Sequence, residues 1–365
     1  MESIFGIDKF LTHFMKFFIL IFIAFIFYGC KSSYQGNGFI PSLSNIRFVG
    51  RFDFTGKPKV WAPGAYIEFW FKGTNCSLEI EDDPAFNSHN YIEIQVDELS
   101  VRRVKLEETK NLISVLKSAK NKLHHVYIVK CTEAGIGSIS FGKIYCEKLI
   151  KPRKKHKLLY EFIGDSMTCG NGADCSTPLD VRGEWYEQHD AYQSYGPTLA
   201  RSFQADWMLS SVSGFGLTRS CCGNDETIPE VYDFADLGGQ EYRYNWKKHQ
   251  PDIVFICLGQ NDGLQKQDKY CFDYVGFVGR IKKANPNAQI ICLDSPMAKT
   301  KLKKHLDTCI LAAVNTLQKQ YGNSIHSYFF KKRYYHGRLK HPNISEHKQM
   351  ALEIELFLKN SKILK

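Results

Sequence analysis

One segment of the sequence predicts the fold class most directly: residues 158–172, which read LLYEFIGDSMTCGNG. Its first half is a largely apolar strand that ends at Gly164, and its second half is a glycine-rich turn that carries Ser166. Near-continuous apolar strands are typical of parallel sheets that are buried on both faces. Functional groups in such sheets collect in the loops at the carboxyl ends of the strands. Ser166 therefore stands where an exposed nucleophile is expected.

The chain after residue 158 continues as an alternation of apolar strands and helices. Further strands are predicted at 207–209, 253–258, 290–293 and 325–330, and helices at 191–203, 274–284, 302–321 and 345–358. This alternation indicates a parallel sheet that is covered by helices on both faces. We therefore predict an α/β domain at residues 158–365.

The part of the chain before this domain has a different pattern. Short segments such as Tyr91–Asp97 alternate between apolar and polar residues, which indicates strands with one buried and one wet face. Two further strands, 66–72 and 77–81, are separated by the turn-forming residues Gly73-Thr74-Asn75. We predict an antiparallel β-sandwich or jelly roll at residues 34–150.

Composition narrows the class of protein. The chain has 365 residues, of which 44% are hydrophobic and 24% are charged, and these fractions exclude wholesale disorder, collagen and a multi-span membrane protein. The net charge is +10. The densest basic run, residues 151–157, has no nucleic-acid-binding motif around it. We therefore interpret this run as a linker between the two domains and predict no nucleic-acid partner.

Residues 1–30 are predicted to be an export signal. Phe17–Phe27 is an apolar run of eleven residues, which is shorter than the ~20 residues of a bilayer span but suits a secretory signal. The run ends in Phe27-Tyr28-Gly29-Cys30, which resembles the bacterial lipoprotein cleavage box, so Cys30 is the predicted lipidation site. An ordinary cleaved signal without lipid is the alternative. In either case we expect an extracytoplasmic protein, periplasmic, at the cell surface or secreted, that meets a membrane only through a lipid anchor.

Twelve cysteines in an exported chain raise the question of disulfides. If Cys30 is lipidated, eleven remain, so at least one is unpaired. Cys257 and Cys292 stand in apolar strands and are predicted to be buried thiols. A bridge between Cys169 and Cys175 is conceivable, but the sequence does not set the connectivity. No Cys-x-x-Cys pair exists, which argues against a thiolate zinc site.

Three later loops carry residues that suit the same site as Ser166. Gly214 follows the second strand of the α/β domain, Asn261 follows the third, and His341 precedes the last helix. Glycine lets a backbone N–H approach a ligand, an asparagine amide can donate to an oxyanion, and a loop histidine can act as a general base. Taken singly, each residue has a structural alternative: a helix cap, a plain turn, an Asx turn or a surface histidine.

The combination and order of these residues resemble the SGNH (GDSL) hydrolase superfamily, whose four sequence blocks are carried here by Ser166, Gly214, Asn261 and His341. The match covers roughly residues 158–360 and is carried by GDS at 164–166, GQND at 259–262 and HPN at 341–343. The β-rich N-terminal part and four further segments resemble carbohydrate esterase family 2. These segments are TCGNG at 168–172, AYQSYG at 191–196, SGFGL at 213–217 and IPEVY at 228–232.

This resemblance implies a three-layer SGNH-type hydrolase domain and an enzyme that removes acetyl groups from polysaccharides such as xylan or glucomannan. Ser166 would attack the ester carbonyl while His341 takes its proton. The backbone N–H groups of Ser166 and Gly214 and the amide of Asn261 would hold the oxyanion. The resemblance implies no metal and no organic cofactor. The expected partner is an acetylated polysaccharide or oligosaccharide, and the sequence does not indicate an oligomeric state.

One position departs from the superfamily pattern. An aspartate usually stands three residues before the histidine and orients its imidazole, whereas that position is Arg338 here. We therefore predict a Ser166–His341 dyad in which a backbone carbonyl orients the imidazole. A carboxylate from elsewhere in the chain, or an impaired enzyme, is the alternative.

Two other functions stay open at this stage. One is an SGNH esterase that acts on lipids or on bacterial or host surface glycans, and the other is a glycan-binding lipoprotein that is not catalytic. Three aromatic residues are candidates for sugar stacking near the site: Trp185, Tyr186 and Tyr192. Packing inside the domain is the alternative role for these rings.

Overall fold

The structure is a computed structural model that describes residues 36–152, 158–176, 183–246, 250–361 and 363–364. The predicted export signal, Cys30 and most of the predicted linker lie outside these residues. Residues 36–152 form an N-terminal domain and residues 158–364 a C-terminal domain, which belong to one compact unit. No helix within the described ranges is both long and apolar enough to cross a membrane.

The N-terminal domain is an antiparallel sheet of ten strands within the described residues. The strands are β1 (Asn37–Phe39), β2 (Arg47–Val49), β3 (Phe52–Asp53), β4 (Lys59–Val60), β5 (Tyr66–Pro84), β6 (Tyr91–Val96), β7 (Arg102–Lys105), β8 (Lys110–Leu116), β9 (Lys122–Lys130) and β10 (Gly137–Ile150). The main order is β3-β4-β10-β5-β9-β6-β7, with β1 beside β10. β5 holds the sheet together, because it also pairs with β2 and β8.

β5 differs from the prediction of two strands separated by a turn. The strand is continuous through residues 73–75, although its register with β10 is irregular there. Gly73 pairs with Lys122 of β9, and the Thr74 N–H donates to Glu147 Oε1 over 2.9 Å. Tertiary pairing therefore overrides the local turn signal.

The C-terminal domain is a parallel sheet in the order β12-β11-β13-β14-β15, flanked by helices. Its strands are β11 (Leu159–Gly164), β12 (Asp206–Ser211), β13 (Ile253–Cys257), β14 (Gln289–Leu293) and β15 (Ile325–Tyr328). Its helices are α1 (Ser166–Cys169), α2 (Tyr195–Ser202), α3 (Ile228–Val231), α4 (Gln267–Ala284), α5 (Thr300–Tyr321) and α6 (Ile344–Asn360). Short 3₁₀ turns lie at Ala134–Ile136, Trp185–Gln188 and Arg338–Lys340.

Two hydrophobic clusters lie on opposite faces of the parallel sheet. Successive residues of a strand alternate between them, so that Phe162 belongs to one cluster and Ile163 to the other. Helices α2 and α6 pack over the first face, and α4 and α5 cover the second. The predicted fold class is confirmed: a three-layer α/β domain follows an antiparallel β-domain.

The two domains are joined by buried polar contacts. Trp207 Nε1 donates to the Gly64 carbonyl over 2.8 Å, and the Tyr66 hydroxyl donates to Asp206 Oδ1 over 2.7 Å. Arg51 of the N-terminal domain is fully buried against the C-terminal sheet. The N-terminal domain therefore packs on the α/β domain rather than standing apart from it.

The helix predicted at 191–203 begins later, at Tyr195. Residues 191–194 form a turn, because the Ala191 N–H donates to the carbonyl of Cys131 in the N-terminal domain over 3.0 Å. The contact between domains therefore shortens the helix.

The cysteines follow the prediction in part. Cys257 and Cys292 are buried free thiols, as predicted. Cys169 and Cys175 are also free, so the conceivable bridge between them does not form. Disulfides join Cys221 to Cys222 and Cys271 of α4 to Cys309 of α5. The first of these disulfides lies in a loop beside the site described next.

Candidate active site

Ser166 is the first residue of α1, directly after the carboxyl end of β11. Asp165 caps this short helix by accepting the Met167 N–H over 3.1 Å. Gly164 leaves no room for a side chain, since a Cβ there would lie 2.1 Å from Thr168 Oγ1. This tight strand-to-helix turn holds Ser166 at the carboxyl edge of the sheet, where the sequence predicts a nucleophile.

The imidazole of His341 lies beside Ser166. Its Nε2 is 2.8 Å from Ser166 Oγ, and its Nδ1 is 3.2 Å from the carbonyl oxygen of Leu339. A carbonyl only accepts, so Nδ1 carries the proton and Nε2 can accept the serine proton. No carboxylate of the described residues hydrogen-bonds this imidazole. Arg338, at the position of the usual aspartate, is buried, and its N–H donates to the Gly172 carbonyl over 3.1 Å.

The turn before His341 has an unusual backbone. Leu339 and Lys340 both adopt the left-handed region, with φ of +52° and +61°, which residues other than glycine rarely do. Such strain collects at functional sites. Gly172 also has a positive φ, +72°, and a Cβ there would lie 2.8 Å from His341 Cβ and 2.4 Å from the Arg338 carbonyl oxygen. Glycine is therefore needed where the loop of Ser166 meets the loop of His341.

Two backbone donors stand beside the serine–histidine pair. The N–H groups of Ser166 and Gly214 donate to no acceptor among the described residues. Gly214 has a φ of +82°, and a Cβ there would lie 2.5 Å from Asn224 Nδ2. The backbone conformation and the close approach of Asn224 therefore require a glycine at position 214. Its free N–H is available to an oxyanion.

Asn261 lies in the next loop, and its neighbour Asp262 ties that loop in place. Asn261 Nδ2 donates to the Phe215 carbonyl over 2.9 Å and lies 3.4 Å from Asp165 Oδ2. The second contact is long, so an oxyanion can compete for that amide proton. Asp262 is fully buried and accepts the backbone N–H groups of residues 217–219. Sequence reasoning missed this role, although an acidic residue beside Asn261 was its signal.

The electrostatics of the site favour a neutral histidine. Burial lowers the pKa of His341 below its usual value, and the hydrogen bonds to the carbonyls of Leu339 and Arg338 oppose that shift. Burial also raises the pKa of Asp165 to about 7, while the hydrogen bond from the Met167 N–H acts in the opposite direction. A neutral imidazole within hydrogen-bond distance of a hydroxyl is what general-base catalysis requires.

A cavity of about 1030 Å³ opens over these residues. Ser166, Gly214, Asn261 and His341 all line it, so the structure brings the four predicted site residues together. Both domains contribute its walls. The N-terminal domain supplies, among others, Lys59, Trp61, Phe86 and Glu133.

The predicted sugar-stacking residues lie in different places. Trp185 lines the cavity and is 39% exposed, so it stays a candidate. Tyr192 does not line it: the residue is only 4% exposed, and its hydroxyl donates to Gln95 Oε1 over 2.7 Å. Tyr192 therefore does not face this cavity: its ring packs against Arg201 and Trp207 of its own domain. Tyr186 packs near the rings of His89 and Tyr91.

One group of described residues brings metal-ligand atoms together: Glu93, Cys131 and Asp190. All three are buried, and none lines the catalytic cavity. Burial raises the pKa of both carboxyl groups, and the two hydrogen-bond to each other. The positive charges of Arg103 and Arg201 also act on Glu93. The two carboxyl groups can share a proton, so this cluster does not require a metal ion.

Comparison with known proteins agrees with this geometry. The family described as carbohydrate esterase 2 N-terminal matches residues 48–153, and the GDSL-like lipase/acylhydrolase family matches residues 162–333. An acetylxylan esterase/glucomannan deacetylase of Cellvibrio japonicus is 26% identical, over 79% of this chain and 82% of its own length. The cellulase/esterase CelE of Acetivibrio thermocellus is also 26% identical over 86% of this chain, but this chain spans only 39% of it.

Solved structures show the same architecture. A family two carbohydrate esterase from Clostridium thermocellum, in complex with cellohexaose, superposes with a TM-score of 0.80 at 25% identity, covering 86% of this chain and 98% of that chain. A family two carbohydrate esterase from Cellvibrio japonicus has a TM-score of 0.79 at 22% identity, covering 88% and 96%. With both of its domains matched, the chain belongs to carbohydrate esterase family 2, a family of carboxylic ester hydrolases with a GDSL-type (SGNH) catalytic domain.

Proposed function

We propose that this chain removes O-acetyl groups from polysaccharides of the xylan or glucomannan type. The observation that carries the proposal is the 2.8 Å contact between His341 Nε2 and Ser166 Oγ, in a cavity that the N-terminal domain helps to form. A relative that is 26% identical over most of this chain is named an acetylxylan esterase/glucomannan deacetylase.

The reaction begins with acyl transfer to the serine. Ser166 Oγ attacks the acetyl carbonyl carbon, and His341 Nε2 takes the hydroxyl proton. Negative charge develops on the carbonyl oxygen, where the N–H groups of Ser166 and Gly214 and the Asn261 amide stabilise it. The imidazolium then protonates the sugar oxygen as its bond to the acetyl carbon breaks, so that the sugar leaves with a free hydroxyl and an acetyl-serine ester remains. Water, deprotonated by His341, hydrolyses this ester and releases acetate.

We propose that the serine and histidine act as a dyad. The Leu339 carbonyl, 3.2 Å from Nδ1, holds the proton on the nitrogen that faces away from Ser166. This arrangement takes the place of the aspartate of a triad, which fixes the tautomer and the ring orientation. The left-handed turn at residues 339–340 supports the proposal, because strained backbone persists where the surrounding structure requires it.

We also propose that the enzyme works outside the cytoplasm as a lipoprotein anchored through Cys30. The support is the eleven-residue apolar run that precedes a small residue and a cysteine. Substrates too large to enter a cell are consistent with this location. Metabolic labelling with a fatty-acid analogue would detect the lipid, and a Cys30→Ser variant that labels equally would rule out this anchor.

The deacetylase proposal is tested by acetate release from acetylated xylan and acetylated glucomannan. We expect Ser166→Ala to lower kcat by about 10⁴–10⁶-fold, since loss of a serine nucleophile has effects of that size. Ser202→Ala, at the end of α2 and outside the cavity, is the matched control and keeps its activity. Activity that survives in Ser166→Ala would remove the serine from the mechanism.

The other functions are separate outcomes of the same assay. Faster turnover of long-chain than of acetyl p-nitrophenyl esters would indicate a lipid esterase. Glycan binding without release of acetate from any acetylated glycan would indicate a binding protein.

A further inference from the structure

Glu133 is a buried acidic residue of the N-terminal domain that reaches the catalytic loops. It directly precedes the 3₁₀ turn at Ala134–Ile136, has no exposed surface and borders the cavity over Ser166. Its Oε2 accepts the backbone N–H of Ser213 over 2.7 Å. Ser213 immediately precedes Gly214, whose free N–H is one of the two backbone donors available to an oxyanion. One carboxylate of the N-terminal domain therefore holds the peptide next to an oxyanion donor.

The same carboxylate is close to the helix of the nucleophile. The charge of Glu133 acts on Cys169, the last residue of α1, whose thiol donates to Ser211 Oγ over 3.3 Å. Asn171, in the turn after α1, lies with its Nδ2 3.5 Å from Ser213 Oγ. Glu133 thus lies where the loop of Ser166 and the loop of Gly214 converge, although it is distant from both in sequence.

The environment of Glu133 is not the one that stability alone would favour. Its Oε1 has no hydrogen-bond partner among the described residues and lies 3.9 Å from His189 Nε2. The two ring nitrogens of His189 also have no hydrogen-bond partner among the described residues. A buried carboxylate with one unpaired oxygen costs free energy. Residues that cost stability in this way tend to serve function.

We propose that Glu133 is a positioning residue of the esterase: it fixes the Val212–Ser213 peptide and thereby orients the following Gly214 N–H toward the developing oxyanion. This inference rests on the proposed role of Gly214 in the deacetylation reaction. A hydrogen bond from an N–H to a carboxylate is stronger than one to a neutral acceptor, so it restrains the loop more firmly. The N-terminal domain is thereby part of the machinery for the chemical step and not only a wall of the cavity.

Two substitutions of Glu133 separate the acceptor from the volume of the side chain. Glu133→Met keeps a long side chain but offers no oxygen to the Ser213 N–H, and we expect kcat to fall by about 10–100-fold. Glu133→Gln keeps a carbonyl oxygen for that N–H, and we expect kcat within about 3-fold of the native enzyme. KM changes little in both, because the oxyanion forms only in the transition state.

Glu93 provides the matched control. It is also a buried glutamate of the N-terminal domain at the contact with the C-terminal domain, but its partner is Asp190 and it does not border the cavity. Glu93→Met and Glu93→Gln should change the midpoint of unfolding without changing kcat. A loss of kcat in Glu93→Met as large as that in Glu133→Met would overturn the proposal, since any loosening of the contact between domains would then suffice.

The outcomes are distinct from those of the deacetylase test. If Ser166→Ala is inactive and Glu133→Met keeps kcat within 2-fold, the positioning role is wrong and the deacetylase proposal stands. If Ser166→Ala stays active, the deacetylase proposal itself fails. Should Glu133→Met not fold, Glu133→Asp withdraws the carboxylate from Ser213 by one methylene. An unchanged kcat in that variant would equally overturn the positioning role.

Discussion

The N-terminal domain meets the C-terminal domain through two buried ionic side chains, Arg51 and Glu133, and the two contacts are built differently. All the guanidinium N–H groups of Arg51 have protein acceptors: the carbonyls of Tyr232 and Phe234, the hydroxyl of Ser210 and the carboxylate of Glu161. Three aromatic rings also surround the cation: Tyr232, Tyr244 and Trp246. This network is closed by protein atoms.

The contact at Glu133, in contrast, contains buried polar atoms that have no protein partner among the described residues. Besides Glu133 Oε1 and the His189 nitrogens, Asn171 Oδ1 is buried without a protein partner in the described residues. Buried polar atoms of this kind are usually satisfied by ordered water. The contact at Arg51 therefore stabilises the packing of the two domains, whereas the contact at Glu133 leaves polar atoms unpaired and places loops around the reacting atoms.

Replacement of the cation breaks the first contact and carries the largest expected effect. Arg51→Met leaves Glu161 buried without its countercharge, and we expect the free energy of unfolding to fall by about 3–5 kcal/mol. Because Arg51 does not border the catalytic cavity, kcat of the folded enzyme should stay within about 3-fold. Denaturant unfolding and steady-state kinetics measure the two effects.

An exposed arginine gives the control for this experiment. Arg280 pairs with Asp233 at the surface, and Arg280→Met should cost less than about 1 kcal/mol. The double variant Arg51→Met/Glu161→Gln should recover part of the loss, since it removes the unpaired charge. A loss below 1 kcal/mol in Arg51→Met would contradict the cohesive role of this contact.

A methyl group at Gly172 tests the catalytic side of the comparison, with the next largest effect. The added Cβ of Gly172→Ala meets the Arg338 carbonyl and His341 Cβ, so the imidazole must move relative to Ser166. A displacement of about 1 Å can cost about 100-fold in kcat, which corresponds to about 2.7 kcal/mol. Turnover of p-nitrophenyl acetate measures it.

The control substitution lies in α4, where Gly276 has open space around its Cα. Gly276→Ala should leave kcat unchanged and stabilise the helix slightly. Native-like kcat in Gly172→Ala would show that the two loops can separate without consequence for the reaction.

The pH dependence of activity is the smallest of the expected effects, and it tests whether His341 is the base of the dyad. Activity requires neutral His341, and burial lowers its pKa, so kcat/KM should rise with pH through a midpoint below the usual histidine value of about 6.5. A profile of kcat/KM for p-nitrophenyl acetate between pH 4 and 8 measures this limb. A midpoint above 6.5 would show that the imidazole is not held as the structure describes.

The titration of Asp165 must be distinguished from that of His341 in this profile, because the pKa of the Asp165 carboxyl is raised to about 7. Asp165→Asn keeps a side chain that caps α1 and removes that titration. The acid limb should remain in this variant if His341 produces it.

The sequence predicts the parallel sheet well because both of its faces are buried. Each strand is then an apolar run, and β13 and β14 lie within a residue of their predicted ends. The failures have their cause in distant partners. Pairing with β9 carries β5 through a local turn signal, and a hydrogen bond to Cys131 delays the start of α2.

The site divides in the same way. Ser166 and His341 could be predicted because short motifs carry them. The need for glycine at position 172 depends on how closely two loops approach, which no local pattern records. Glu133 belongs to the other domain, and nothing in the sequence around it signals a contact with Ser213. The position of Tyr192 away from the cavity could not be predicted, because the sequence does not distinguish an aromatic residue that packs from one that binds.

The acceptor that orients His341 is a main-chain oxygen, and a main-chain oxygen cannot be deleted by a point mutation. Leu339, which supplies it, is 63% exposed at the mouth of the cleft. The Leu339 side chain can therefore be exchanged to suit another glycan, while the main-chain carbonyl that orients His341 for proton transfer is retained.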